Sequence, residues 1–101
     1  MSKKKADAKK KARDIIDDAD SEHYFYLCDG TVIKNVLELS KNIERMNDEV
    51  FCYHVNNEKN DFSNWIRDVY NDENLAKSML ETKDKDKTQI VLLKALIERF
   101  R

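Results

Sequence analysis

The apolar residues first alternate with a period of two and then recur with a helical period along the rest of the chain. Residues 24–28 are rich in strand-forming aromatic side chains. Asp29-Gly30 follows, which is a strong signal for a hairpin turn, and residues 31–33 return as a second strand. Side chains alternate between the two faces of a strand. The first strand therefore has one face formed by Tyr24, Tyr26 and Cys28 and an opposite face formed by Phe25 and Leu27.

Four stretches after the hairpin repeat apolar residues every three or four positions, which is typical of helices with one buried face. A two-stranded hairpin is marginal in water, so we expect the first of these helices to cover it. The four sets of apolar residues are Val36, Leu39, Ile43 and Met46; Phe62, Trp65, Ile66, Val69 and Tyr70; Leu75, Ala76, Met79 and Leu80; and Ile90, Leu93, Ile97 and Phe100, the last widened by Leu92 and Leu96.

Short polar side chains mark the predicted helix starts, because their oxygens accept hydrogen bonds from the free N–H groups of a first turn. Asn35 precedes the first helix, and Asn60 or Asp61 precedes the best-patterned one. Asn47 is predicted to end the first helix, and Asp48 to cap a short helix after it. The predicted caps of the last two helices are Asp72 and Thr88.

These elements predict a small α+β domain that is mostly helical, with one β-hairpin packed against four to five short helices. The predicted parts are a basic arm over residues 1–21, disordered to weakly helical and frayed beyond about residue 10; a hairpin–helix core over 22–81; a charged connector over 82–88; and a C-terminal amphipathic helix over 89–101. No apolar run approaches the ~20 residues of a membrane span. Two cysteines suit a reducing compartment, so we expect a cytoplasmic protein.

Charge is segregated along the chain, although the net charge is only −1. Residues 1–13 carry seven basic residues and one acid, whereas residues 14–73 carry fifteen acids and five basic residues. A basic arm on an acidic body either contacts a phosphate backbone or another anionic surface, or is a solvated tail. The candidate nucleic-acid or anion contacts are Lys3, Lys4, Lys5, Lys9, Lys10, Lys11 and Arg13.

Four side chains, His23, Cys28, Cys52 and His54, are of the types that zinc prefers. Their spacing lacks the Cys-x-x-Cys knuckle of common zinc sites, and buried inert cysteines are the simpler interpretation. A Cys–His nucleophilic pair would also need a cleft and an oxyanion hole, and the single glycine leaves no Gly-rich turn to form one. We therefore predict no enzyme, no cofactor and no metal site.

The most specific stretch of the sequence runs from residue 48 to residue 69 and contains a motif of open role, formed by His54, Asn56, Asp61 and Trp65. We expect His54 and Asn56 to hold a loop through hydrogen bonds to its backbone. Asp61 stands where a helix needs a cap. Trp65 is predicted to anchor the core and to donate its indole N–H to a loop carbonyl.

This stretch and the hairpin before it resemble a family of small uncharacterised prokaryotic proteins, largely archaeal, with the pattern YFYLCDG…FxxHV…NDFxxWIxDV. The resemblance covers residues 24–80 and implies no activity for this chain. The Lys-rich start and the last helix lie outside it. The matching positions are Phe25, Asp29, Gly30, Leu39, Phe51, His54, Val55, Asn60, Asp61, Phe62, Trp65, Ile66, Asp68 and Val69.

The last helix carries the best candidate for a partner surface. Its stripe of Ile90, Leu93, Ile97 and Phe100 either covers the protein's own core, which is the simpler expectation, or docks against a partner or a second copy. We expect a non-enzymatic accessory domain that binds another macromolecule, with a protein favoured and no membrane contact. The alternative is a nucleic-acid or ribonucleoprotein accessory protein that uses the Lys-rich arm. The acidic body opposes this alternative by repelling phosphates.

Overall fold

A computed structural model describes residues 13–100, which form an α+β, mostly helical fold. This confirms the predicted fold class. A two-stranded antiparallel hairpin precedes five α-helices, and a short 3-10 turn precedes the hairpin. The elements are the 3-10 turn Ser21–His23, β1 (Phe25–Tyr26), β2 (Val32–Ile33), α1 (Val36–Arg45), α2 (Asp48–His54), α3 (Asp61–Tyr70), α4 (Glu73–Met79) and α5 (Lys85–Arg99).

The hairpin pairs Phe25 with Ile33, and its turn is longer than the Asp-Gly signal predicts. Leu27 donates its backbone N–H to the Thr31 carbonyl and accepts from the Gly30 N–H, so three residues form the loop. Gly30 has a φ of 96°, a conformation that favours glycine. A three-residue loop that ends in such a residue keeps the strand register through a bulge. The predicted faces are confirmed at Leu27, which is buried, and at Tyr26, which is exposed.

Five short polar residues cap the helices, each accepting from the backbone N–H three residues later. The caps predicted at Asn35, Asn60 and Asp72 are confirmed, and the caps predicted at Asp48 and Thr88 are wrong. Asn47 caps α2 itself, so the helix begins one residue earlier. The observed caps are Asn35, Asn47, Asn60, Asp72 and Asp84.

The charged connector predicted over 82–88 is half helix. Asp84 accepts from the Lys87 N–H at 2.9 Å, so α5 begins at Lys85 rather than after Thr88. Alternating Lys and Asp have no apolar period, but lysine is a good helix former once a cap satisfies the first turn. Thr88 is fully buried inside α5, where it faces the core.

Residues 13–20 belong to the folded domain, which corrects the predicted boundary at 22 and the predicted frayed helix. Ile15 and Ala19 are buried in the core. The Ala19 N–H donates to the Lys34 carbonyl at 2.8 Å, and the Tyr70 hydroxyl donates to the Asp17 carbonyl at 2.8 Å. These bonds hold the segment in turns instead of a helix. The rest of the predicted arm, residues 1–12, lies outside the described residues.

The core lies where α1, α3, α4 and α5 meet under the hairpin. α1 packs against α5 and β2, and α4 packs against both α3 and α5. No helix among residues 13–100 is long and apolar enough to cross a bilayer. The largest fully buried apolar side chains include Ile33, Leu39, Ile43, Phe51, Phe62, Ile66, Tyr70, Met79 and Leu92.

Candidate functional site

Helix α5 has apolar residues on two different sides, and only one side faces the core. Leu92 and Leu96 are 0% and 5% exposed, four residues apart on the buried side. The other apolar positions follow a 3-4-3 spacing along the solvent side, which we call the outer face of α5. Its members and their exposed fractions are Ile90 at 51%, Leu93 at 43%, Ile97 at 64% and Phe100 at 69%.

The outer face corrects the expectation that this stripe covers the protein's own core. Helical spacing predicted one stripe of six apolar residues, widened by Leu92 and Leu96. In the structure, only these two leucines of the six point toward the core. At about 100° per residue, Leu93 and Ile97 lie well away from Leu92 around the helix. The packing against α1 and α4 selects the side with Leu92 and Leu96. A row of four large apolar side chains is left in solvent, as at many interaction sites.

The charges around the outer face are mixed, because Asp86, four residues before Ile90, is exposed in line with the row. Lys87 and Lys94 are exposed and lie three residues before and four residues after Ile90, so they border the face along one side. The sequence analysis did not single out either lysine. Their spacing from Ile90 could have placed them beside the apolar row, but this spacing is informative only once the exposed side of the helix is known.

The start of the described chain lies at the C-terminal end of α5. Arg99 donates its Nε–H to the Asp14 carboxylate at 2.6 Å, and its guanidinium lies 4.9 Å from the Phe100 ring centre. Burial alone raises the pKa of Asp14, but the hydrogen bond and charge of Arg99 reverse this, and the net pKa lies below its usual value. Asp14, next to the first described residue, therefore lies at the C-terminal end of α5.

Arg13 is the one candidate arm residue inside the described range, and it is held by the domain. Its guanidinium donates to the Asp18 carbonyl at 2.6 Å and lies 3.3 Å from the Asp20 carboxylate. These contacts stabilise the turn that carries Ile15 and Ala19. Arg13 is thus engaged in the fold. The predicted anion contacts Lys3, Lys4, Lys5, Lys9, Lys10 and Lys11 lie outside the described residues.

The motif around His54 forms a second cluster, at the junction of the hairpin with α2 and α3. His54 is buried, and its Nε2 accepts from the Cys28 backbone N–H at 3.0 Å. The proton must then lie on Nδ1, which donates to Asp61 at 2.9 Å. The rings of Phe25 and Phe62 pack against the imidazole at about 5 Å. Both ring nitrogens therefore hold the hairpin turn onto α3.

Asp61 completes this cluster rather than capping α3. Its Oδ2 accepts from both His54 and the Lys59 ammonium, each at 2.9 Å. Burial alone raises the pKa of Asp61, but these two hydrogen bonds lower it, and the net pKa lies below its usual value. The carboxylate therefore stays ionised and fixes the His54 tautomer.

The loop functions predicted for Asn56 and Trp65 are confirmed. The Asn56 side-chain amide donates to the carbonyls of Cys52 and Tyr53 at the end of α2, and its oxygen accepts from the Glu58 N–H. The Trp65 indole N–H donates to the His23 carbonyl at 2.7 Å, and the ring is 8% exposed. His54, Asn56 and Trp65 thus bond to backbone groups, whereas Asp61 bonds to the side chains of His54 and Lys59.

The four side chains considered as zinc ligands do not meet in one site. Cys28 and Cys52 are free and exposed, which corrects the expectation that they are buried. Within residues 13–100, the group that could bring three ligand atoms together is Asp20, Glu22 and His23, all exposed. A nucleophilic pair at His54 is opposed by the geometry, because its Nε2 faces the backbone N–H of Cys28 and not a thiol.

An open groove of about 960 Å³ lies on another side of α5, against α4 and the N-terminal segment. Its lining mixes the two signs of charge, with Arg13 and Lys94 beside Asp72 and Glu98. The Asp14–Arg99 ion pair also lines it. This mixed lining favours no particular class of ligand.

No protein family, curated protein or solved structure matches this chain. The resemblance to small prokaryotic proteins therefore stays a prediction.

Proposed function

We propose that this protein is a non-enzymatic accessory domain of the cytoplasm that binds another protein through the outer face of α5. The observation that carries the proposal is the exposure of four large apolar side chains in one row. Ile97 and Phe100 are 64% and 69% exposed, although the same helix buries Leu92 completely. Exposed apolar rows of this kind lose their contact with water when a partner covers them.

The cluster around His54 supports an interaction domain over an enzyme. Both ring nitrogens of His54 are engaged, one by a backbone N–H and one by Asp61. A general base needs a free nitrogen within reach of a substrate proton. Each polar contact of this cluster instead joins two segments of the fold. The cluster thereby keeps the hairpin fixed on α3.

The alternative is an accessory protein for nucleic acid or ribonucleoprotein, which would use the Lys-rich arm. Lysine contacts to phosphates give binding that is independent of sequence and sensitive to salt. Arg13 is engaged by Asp18 and Asp20, so the six lysines before it would have to supply these contacts. The acids of the body oppose this binding.

Affinity purification from native lysate, with and without nuclease, tests the proposal. The variants are the wild type, Leu93→Gln/Ile97→Gln on the outer face, and a form with all six arm lysines replaced by Gln. We expect a nuclease-resistant protein on the wild type and on the arm variant but not on the outer-face variant. Leu80→Gln, at another exposed leucine (59% exposed), is the control. Nucleic acid that is lost only with the lysines would establish the alternative instead.

A further inference from the structure

The two ring nitrogens of His54 hold its neighbours in opposite ways. Its Nδ1 donates to the Asp61 carboxylate at 2.9 Å, and its Nε2 accepts from the Cys28 backbone N–H at 3.0 Å. Only a neutral imidazole has one donor and one acceptor nitrogen, whereas a protonated imidazole has two donors. A proton on Nε2 would therefore face the Cys28 N–H at hydrogen-bond distance, donor against donor. The bond to Cys28 exists only while His54 is neutral.

The Cys28 N–H lies in the hairpin turn, residues 28–31, of which the first three are exposed. The other hydrogen bonds of this turn close the hairpin on itself, because one joins two residues of the turn and two join the turn to Leu27. In the described part of the chain, the bond from Cys28 to His54 is the hydrogen bond that ties the turn to a helix. Leu27 is buried and stays with the core, so the turn is hinged there.

The charges near the imidazole determine which of its two bonds survives protonation. Burial alone raises the pKa of Asp61, but the hydrogen bonds from His54 and Lys59 outweigh it, and the net pKa lies below its usual value. Asp61 is therefore ionised over the whole range in which histidines titrate. It accepts from Nδ1 in both forms of the ring, so the imidazole stays on α3 when it gains a proton. The titratable groups around His54 are Asp61 at the start of α3, Lys59 in the loop before it, Cys28 and Asp29 in the hairpin turn, and Tyr53 on α2.

Among these groups, Asp29 is the one that attracts the turn toward a charged imidazole. Its pKa is lowered chiefly by the hydrogen bond from the Thr31 N–H and to a smaller extent by the charge of His54. Asp29 is exposed, so water and salt screen its attraction to His54. The contact between Nε2 and the Cys28 N–H is direct and unscreened. Protonation therefore favours release of the turn.

We propose that His54 is a pH-dependent latch for the hairpin turn. The neutral ring ties the Cys28 N–H to the end of α2. A proton taken from solvent onto Nε2 breaks this bond, and the turn opens at Leu27 while Asp61 keeps the ring in place. Histidine is the side chain whose charge ordinarily changes between about pH 5 and pH 8. This regulatory device goes beyond the proposed function, because it needs neither the outer face of α5 nor a partner.

An NMR titration of the full chain between about pH 8 and pH 5 measures the latch directly. The nitrogen signals of the imidazole follow the protonation of Nε2 in His54. Hydrogen exchange, corrected for its intrinsic pH dependence, follows the Cys28 amide. We expect the protection of this amide to fall by about tenfold with the same midpoint, which is the factor that one hydrogen bond contributes. The Ala19 amide, which donates to the Lys34 carbonyl, should keep its protection.

His23 provides the matched control, because it is the other histidine of the chain and is exposed. His23→Gln keeps the backbone carbonyl that accepts from Trp65, so the change at the Cys28 amide should persist with the same midpoint. His54→Gln has no titratable ring, so the protection of the amide should no longer depend on pH. Asp61→Asn removes a charge that favours the protonated ring, so the midpoint should move to lower pH by about one unit.

The latch is wrong if Nε2 of His54 becomes protonated while the Cys28 amide keeps its protection, or if the imidazole stays neutral down to about pH 5. It is also wrong if the Trp65 emission changes with the same midpoint, because the whole domain then unfolds instead of the turn. A pH dependence that persists in His54→Gln belongs to another group and overturns the assignment. Circular dichroism shows whether each variant is folded, and if His54→Gln is not, the wild-type titration and Asp61→Asn decide.

Discussion

Two neighbouring leucines on α5 allow a direct test of which side of the helix faces the core. Leu92 is 0% exposed, and Leu93 is 43% exposed. Replacing each with Ala removes the same atoms and changes the intrinsic helix propensity equally. Any difference in the free energy of unfolding therefore reports the difference in packing. The Leu93→Ala variant also establishes whether the outer face can be altered without unfolding the domain.

The expected magnitudes differ widely. Leu92→Ala leaves a cavity among α1, α4 and α5, and such truncations cost about 2–5 kcal/mol. Leu93→Ala removes atoms that are already close to half exposed, so we expect a cost of about 1 kcal/mol or less. For a domain of this size, each kcal/mol lowers the melting temperature by roughly 4–8 °C. The two costs differ by at least about 1 kcal/mol, so Leu92→Ala should melt at least roughly 4–8 °C below Leu93→Ala.

Urea denaturation, followed by the fluorescence of Trp65 and by circular dichroism at the same protein concentration, measures both variants. Trp65 is buried and bonded to the His23 carbonyl, so its emission reports the loss of the core. Equal destabilisation by the two variants, or a larger loss in Leu93→Ala, would show that the helix is rotated relative to the structure described. The outer face would then not exist as an exposed row.

Three further changes test other contacts. Tyr70→Phe removes the hydroxyl that holds the N-terminal segment, so we expect the free energy of unfolding in urea to fall by about 1–2 kcal/mol. The control Tyr26→Phe, at an exposed tyrosine, should leave the free energy of unfolding unchanged, and equal values for the two variants would contradict the prediction. Thr88→Val should raise the stability by about 1 kcal/mol, because the Thr88 hydroxyl is buried without a hydrogen-bond partner among the described residues; a lower melting temperature would refute it. Since the pKa of Asp14 is lowered in the folded state, its contribution is present above a pH of about 4 and is lost as the pH falls further. Asp14→Asn should therefore flatten the acid side of a melting-temperature profile, and an unchanged slope would argue against the ion pair.

Much of the fold could be predicted from the order of residues. The hairpin followed from aromatic strand residues before Asp29-Gly30, and the caps at Asn35, Asn60 and Asp72 followed from the need of a first turn for acceptors. These are local effects, decided within a few residues of the chain. Trp65 was also predictable as an anchor, because an indole in a helical stripe is buried and its N–H still needs an acceptor.

Predictions failed where distant segments decide the outcome. Residues 13–20 looked like a frayed helix, but Ala19 bonds to the Lys34 carbonyl and Tyr70 to that of Asp17. Both partners are remote in sequence. The functions of His54 and Asp61 were likewise hidden, because the Cys28 N–H that fixes the His54 tautomer is 26 residues away. No local period encodes such pairings.

Helix α5 shows most clearly what the sequence determines by itself and what the tertiary structure decides. The apolar period of the sequence by itself predicted a helix over residues 89–101, and the structure extends its start to Lys85. The sequence also provided two apolar sides, one through Leu92 and Leu96 and the other through Leu93 and Ile97. Only the tertiary structure decided which side is buried, because α1 and α4 have room for one of them. The side left in solvent is the candidate functional surface.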